Sequence, residues 1–269
     1  MNAKVNPHNA KAAMMWGSTG RHYDDVSRFV ASGIEHCVER LDPVSGEHVL
    51  DVATGTGWTS RRVAARGSTV TGVDISEGML NAAKEIAAER NLKIDYQIGD
   101  AEALPFDDAE FDAVVSTFGA MFAPDRSAVA AELARVCRKG GRLALACWPP
   151  DGMAVDMRQV LAAYAPSPPA SPPPSPFDWG RPEWLQETLG DAFELGFERG
   201  TLYHRVPDGG AAWDFWAESF GPVNAVANGL DEERRASART EMAELFDRHK
   251  DGLGVSVPWD YLVTIGVKR

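Results

Sequence analysis

Cysteine is scarce in this chain of 269 residues, and Cys37, Cys137 and Cys147 form an odd set with no C-x-x-C spacing. Neither a disulfide framework nor a thiolate metal site is implied, so a reduced compartment is expected. Long apolar runs are missing too: none approaches the roughly 18 residues of a membrane-spanning helix, and no charged-then-apolar leader is present. A cytoplasmic protein without a membrane span is expected. Basic residues are in deficit, with Lys+Arg 27 against Asp+Glu 39 and a formal net charge of −12. Such a field repels a phosphate backbone and argues against nucleic acid as a partner. H-E-x-x-H, G-x-S-x-G and clustered metal ligands are also absent, and no metal is expected.

What is present centres on Val49–Gly57, a short apolar strand that stops at a glycine-rich turn, with Trp58–Ala65 able to continue as a helix. Gly55 and Gly57 let the backbone turn tightly and approach a ligand closely. The acid at Asp51 would repel a pyrophosphate and welcome an ammonium or sulfonium. The third glycine of the dinucleotide fingerprint G-x-G-x-x-G is replaced by Ser60, which weakens a nicotinamide reading without removing the NAD(P)-dependent oxidoreductase as an alternative.

The acid recurs. Thr69–Ile75 forms a second strand ending at Asp74, and the right-handed crossover brings that end beside the first turn, within reach of ribose hydroxyls. Ser76 is placed to cap a helix carrying Met79, Ala83, Ile86 and Ala87 on one face. Ile94–Ile98 alternates as a third strand and runs into Gly99-Asp100-Ala101-Glu102. In an open parallel sheet the carboxyl ends of the strands border the ligand crevice, so Asp51, Asp74 and Asp100 should converge. Phe111–Ser116 is a fourth strand, and Phe118–Phe122 an apolar loop that serves equally as pocket floor or as core. A helix through Val129, Leu133 and Val136 should stop at Gly140-Gly141 before a fifth strand, Leu143–Trp148.

At the other end, residues 1–22 read as polar and irregular, and Asp24 or Asp25 can cap one helix running to about Leu41. Trp16, His22 and Tyr23 either staple that helix or close over a ligand, and position alone favours the staple. His36, off the apolar stripe, reads as solvated. Beyond residue 151 come a helical piece, a proline-rich run from Pro166 to Pro176 read as an extended connector, and a strand Phe193–Val206 with a glycine break at Gly200. Helical stretches from Trp213 and from Asp231 follow, with a final strand Trp259–Val267 that can pair antiparallel with the late one. His204 alternates with Leu202 and Val206 and reads as core.

Taken in order, VLDVATGTG at 49–57, VTGVDIS at 70–76, GDAEALPF at 99–106, FDAVVSTFGAMF at 111–122 and ELARVCRKGGRLALACW at 132–148 resemble a class I S-adenosylmethionine-dependent methyltransferase. The resemblance is to the branch that includes the ubiquinone/menaquinone-biosynthesis enzymes. It implies an α/β, Rossmann-like, mostly parallel sheet of seven strands in the order 3-2-1-4-5-7-6, strand 7 antiparallel, with helices on both faces and a helical cap. It implies S-adenosylmethionine as cofactor, with Asp51 near the methionyl ammonium, Ala53, Gly55 and Gly57 forming the cradle, and Tyr23 covering the methionine end. Asp74 would take the ribose hydroxyls, Ile75 and Met79 the adenine face, and Asp100 with the Ala101 backbone the adenine edge; Ser116 joins the cofactor set. Ala53 replaces the first glycine of the most general motif.

One unit is expected over 1–269, with a helical segment at 1–44, a cofactor core at 45–150, a substrate cap with the sixth strand at 151–258, and a terminal strand at 259–269. Transfer of a methyl group to an O, N or C nucleophile of a small molecule is the implied chemistry, with a cofactor-binding module that has lost chemistry as a further alternative. The acceptor is expected against Phe118, Met121, Trp148 and Trp179, with Phe177, Trp184, Trp213, Phe215 and Trp216 adding aromatic surface from the cap. No catalytic base is assigned.

Overall fold

The computed structural model describes residues 5–165 and 174–269, so residues 166–173 of the proline-rich run lie outside the described residues. In chain order the elements are α1 (Ala10–Gly17), α2 (Tyr23–Phe29), α3 (Ala31–Leu41), β1 (His48–Val52), α4 (Trp58–Ala64), β2 (Thr69–Asp74), α5 (Glu77–Glu89) and β3 (Asp95–Ile98). They continue as β4 (Phe111–Thr117), α6 (Arg126–Val136), β5 (Cys137–Cys147), α7 (Met153–Ala162), α8 (Pro182–Leu189) and β6 (Phe193–Val206). The last are α9 (Gly209–Ser219), α10 (Gly221–Gly229), α11 (Glu232–Asp247), β7 (Lys250–Asp251) and β8 (Gly254–Lys268).

Six strands that run the same way and one antiparallel strand, β8, form a sheet in the order β3-β2-β1-β4-β5-β8-β6, with helices around it. This is the order the resemblance implies, β8 being its seventh strand. The eighth strand is the two-residue β7, which hairpins onto β8. The parallel strands are apolar on both faces because both are covered: Val49, Leu50, Val114, Val115, Leu143 and Ala144 are all fully buried. Four helices, α5, α6, α9 and α11, start where a side chain satisfies a free amide. Ser76 accepts from the Met79 N–H, and Asp125, Asp208 and Asp231 accept from the amides of Ala128, Ala211 and Arg234.

Several expectations are corrected. Residues 7–22, read as irregular, instead hold a 3₁₀ turn at Pro7–Asn9 leading into α1 and another at Gly20–His22 leading into α2. The helix expected from Asp24 or Asp25 to Leu41 is two helices meeting at Val30, and both acids sit in the first turn of α2. α6 ends at Val136 and β5 begins at Cys137: the register with β4 shifts between Phe111 and Ala113, so the glycine pair that was read as a helix stop lies in an irregular stretch of β5 between Cys137 and Arg142. Gly200 does not break β6. It pairs with Tyr261, whose ring would lie 2.3 Å from a Cβ at that position, so the glycine makes room for a neighbour. β8 starts at Gly254 rather than Trp259. Pro258 is tolerated within it because β8 pairs with β5 only from Leu262 onward, leaving one side of the strand without a ladder to serve.

His36 is not solvated: its Nδ1 lies 3.0 Å from the Tyr261 hydroxyl and its Nε2 2.9 Å from Glu198 Oε2, tying α3 to the β6–β8 pair. His204 is core, boxed by Phe29, Phe215, Trp216 and Phe246, and burial pulls it down to about 4. The sign follows from the unfolded chain, whose histidines titrate near 6.5. Stability is whole above that pH and falls as pH drops towards 4, by about 3 kcal/mol, because the unfolded chain takes a proton the native site refuses. Asp51 and Asp74, both pushed up to about 6, act oppositely, since the native state then holds their protons more tightly than the unfolded chain does. Comparison with His204→Phe cancels the carboxylates. Urea unfolding at pH 7 and pH 4.5 should show the variant gaining on the wild type as pH falls; an unchanged difference would contradict a neutral His204.

Candidate cofactor and acceptor cavity

A cavity of about 380 Å³ opens at the carboxyl ends of β1, β2, β3 and β4, roofed by α1, α2 and the cap helices. Its floor is the turn after β1. Ala53 and Gly55 both hold φ near 56°, a left-handed conformation that costs an alanine about 1–2 kcal/mol. Gly119 lies against that strained residue, where any Cβ of its own would come within 2.7 Å of the Ala53 carbonyl oxygen. Gly57 serves the packing rather than the cavity: the hydroxyl of Tyr96 lies 2.1 Å from where its Cβ would be, and Gly57 is not on the cavity wall.

Asp74 does reach the wall. Its Oδ2 accepts the Gly55 N–H at 2.9 Å and its Oδ1 the Ser76 N–H at 2.9 Å, leaving each oxygen a further acceptor site. Burial raises it to about 6 against those hydrogen bonds. Asp51 is different. Fully buried behind the turn, it takes the hydroxyls of Thr54 at 2.6 Å and Ser60 at 2.7 Å on one oxygen. Ser60, which breaks the dinucleotide fingerprint, thus has a structural task. Burial outweighs these donors and lifts Asp51 to about 6. Ser116 also stays off the wall: it donates to the Val52 carbonyl at 2.7 Å and accepts the Ala120 N–H at 3.0 Å, pinning the loop after β4 to the end of β1.

Ile75, Met79, Gly99, Asp100 and Ala101 line one end of the cavity, opposite Ala12, Met15 and Trp16 of α1. α1 docks closely there because Gly17 and Gly78 face each other and Gly221 leaves room beside Met15. Tyr23 covers Gly55, with ring atoms 3.5 Å from the position a Cβ would take, and burial, with the Asp74 charge adding, drives its phenol upward. The residue that sets α2 over the turn is Arg61, which bonds Asp24 at 2.8 Å and the Thr56 carbonyl at 2.5 Å while almost wholly buried. Sequence reasoning missed this pair, whose members are separated by β1 and its turn.

The other end is aromatic. Phe118 stacks on Trp148 at 4.2 Å, Trp148 meets Trp259 edge-on at 5.4 Å, and Trp259 stacks on Trp216 at 5.1 Å. Phe118 keeps φ at 56°, and a bulky residue held in that strained region marks a site the surrounding structure over-determines. Met121 and Phe177 also line this end. Trp179 does not: it is buried against Trp184, and its neighbour Asp178 pairs with Arg126. Trp184, Trp213 and Phe215 likewise lie off the wall, stabilising the cap itself. Residues the sequence did not single out complete the wall, including Trp58, the hydroxyl pair Thr59 and Thr117 at 2.6 Å, and Asn9. His22 is off the wall and exposed, 3.5 Å from Glu218. Among the described residues no cluster of metal ligands occurs, and no helix is long and apolar enough to cross a membrane.

Known proteins resemble this chain in sequence and fold. The family described as "Methyltransferase domain" matches residues 50–145, which run from β1 into β5. A Mycobacterium tuberculosis protein described as uncharacterized is 37% identical over 229 residues, 83% of this chain and 82% of its own length. The demethylmenaquinone methyltransferase of Thermobifida fusca is 37% identical over 149 residues, 53% of this chain and 63% of that enzyme. Among solved structures, the YcgJ protein of Bacillus subtilis superimposes with a TM-score of 0.62 at 20% identity, over 89% of this chain and 99% of that one.

Proposed function

The chain belongs to the class I S-adenosylmethionine-dependent methyltransferases of the ubiquinone/menaquinone type, and from that membership we propose that it methylates a small aromatic acceptor held at the Phe118–Trp259 end of the cavity. It is an enzyme and its cofactor is S-adenosylmethionine, so the oxidoreductase alternative falls away. The observation that carries the acceptor reading is the division of one cavity into an end with carboxylates and an end walled by stacked aromatic rings.

The residues present fit the cofactor. Two free acceptor positions on a buried carboxylate suit a pair of ribose hydroxyls at Asp74, and Ile75 and Met79 offer an apolar face for a purine. Ala53, Thr54 and Gly55 line the cavity beside Tyr23, a wall suited to the amino-acid end. Asp51, behind that turn, adds negative charge favourable to an ammonium without touching it. When bound, S-adenosylmethionine supplies an electrophilic methyl on a sulfonium. The chain's own part is to orient the acceptor and exclude water, tasks suited to the Phe118, Trp148 and Trp259 walls and the cover made by Trp16, Phe122 and Phe220.

The net charge of −12 supports a small molecule over nucleic acid as the acceptor. Incubation with methyl-labelled cofactor and a fractionated extract, followed by a panel of small aromatic compounds, tests this. Label should enter the small-molecule fraction, and Trp148→Ala should raise KM for accepted compounds about tenfold, as loss of one aromatic wall implies. Label confined to protein or nucleic acid would overturn the reading.

A further inference from the structure

The carboxylate assigned to the adenine edge by resemblance is already engaged by the chain itself. Asp100 Oδ2 accepts the Asn6 backbone N–H at 3.0 Å and Asn9 Nδ2 at 2.9 Å, while Oδ1 accepts the Glu102 N–H at 3.0 Å. Asn9 is only 3% exposed, yet it lies on the cavity wall beside Gly99, Asp100 and Ala101. An ionised carboxylate can only accept, so the group Asn9 presents to Asp100 is its NH₂, and the amide orientation is fixed by that bond. The carboxamide oxygen is thereby turned elsewhere, and no hydrogen bond reaches it among the described residues. The Ala101 backbone N–H also lacks a protein partner among the described residues.

An unpartnered donor on Ala101 and an unpartnered acceptor on Asn9, both on the cavity wall, are the complement of adenine's edge, whose ring N1 accepts and whose 6-amino group donates. We propose that Asn9 reads the 6-amino group of the cofactor through its Oδ1, and that Asp100 acts as the residue that positions Asn9. The proposal rests on the cavity being the S-adenosylmethionine site. It makes the segment before α1 a determinant of cofactor specificity rather than a passive cover. His8, at 2.6 Å from Glu102 Oε2, and Asn6, whose Nδ2 donates to the same oxygen at 3.2 Å, hold that segment down on the loop after β3. One residue's backbone and two side chains therefore clamp the segment that carries Asn9.

The test uses calorimetric titration of the full chain with two probes, S-adenosylhomocysteine and its analogue lacking the 6-amino group. Wild type should prefer the amino form by about tenfold or more, the size expected when a buried acceptor is left unpaired. In Asn9→Ala both probes should bind alike, because the oxygen that distinguishes them is gone. A purely structural Asn9 gives a different result: loosening the segment would weaken both probes by the same factor and keep the preference, and that outcome would overturn the proposal. A wild type that prefers neither probe would overturn it as well. Failure of wild type to bind S-adenosylhomocysteine at all would instead overturn the cofactor reading underneath.

Discussion

Asp74→Ala should weaken S-adenosylhomocysteine binding about 100-fold or more, since hydrogen bonds from two hydroxyls to a charged acceptor contribute about 1.5–3 kcal/mol each. The same change removes the acceptor for the Gly55 and Ser76 amides, so the turn after β1 loses its tie to the start of α5. A stability loss of about 1–3 kcal/mol is therefore expected alongside, limited because water in the cavity can reach the freed amides. Asp74→Asn, which keeps the volume and one acceptor oxygen, should fold better and bind with an intermediate loss. Wild-type affinity should also fall as pH drops below 6, where Asp74 takes up a proton and half its acceptor capacity goes. Most of that slope should vanish in Asp74→Ala, with Asp51 supplying the remainder. Calorimetry across pH 5–8 checks both effects, and an unaltered affinity in Asp74→Ala would show that the ribose lies elsewhere.

Trp259→Ala should cost about 3–5 kcal/mol of stability, the range for truncating a buried tryptophan. Trp259 stands in the first part of β8, ahead of its pairing with β5, where the strand meets the cap. It touches Trp216 of α9, Phe29 of α2 and Trp148 at the end of β5 within 5.5 Å between ring centroids. Truncation there uncouples three elements at once and widens the aromatic end of the cavity. Trp259→Phe should recover most of the loss. Urea unfolding measures it directly, and a cost below about 1 kcal/mol would mean that the cap closes up around the gap.

The parts of this architecture legible in the sequence are those written locally. Strand, acid, turn and helix follow one another within short stretches at Asp51 and Asp74, and strand and acid at Asp100, where apolar runs and glycines report on backbone geometry. Ser76 could be placed as a cap because the capping bond spans three residues. What stayed illegible depends on partners distant in the chain. His36 looked solvated because Glu198 and Tyr261 cannot be foreseen from α3 alone. Trp179 and Phe177, two residues apart, face a cap interior and a cavity respectively, and composition cannot separate them. The start of α1 carries no side-chain cap, so its alanines and methionines gave little boundary signal. The partners of Asp100 were equally out of reach, since only the fold shows Asn6 and Asn9 arriving on its carboxylate.

The most direct measurement of the central claim, that one cavity seats the cofactor at its acidic end and leaves the aromatic end to an acceptor, is a crystal structure of the chain with S-adenosylhomocysteine. The ribose hydroxyls should lie on Asp74, the purine between Met79 and the α1 side of the cavity, and the homocysteine sulfur should face Phe118 and Trp148. Density for the purine among Trp148, Trp216 and Trp259, or ribose hydroxyls away from Asp74, would contradict it.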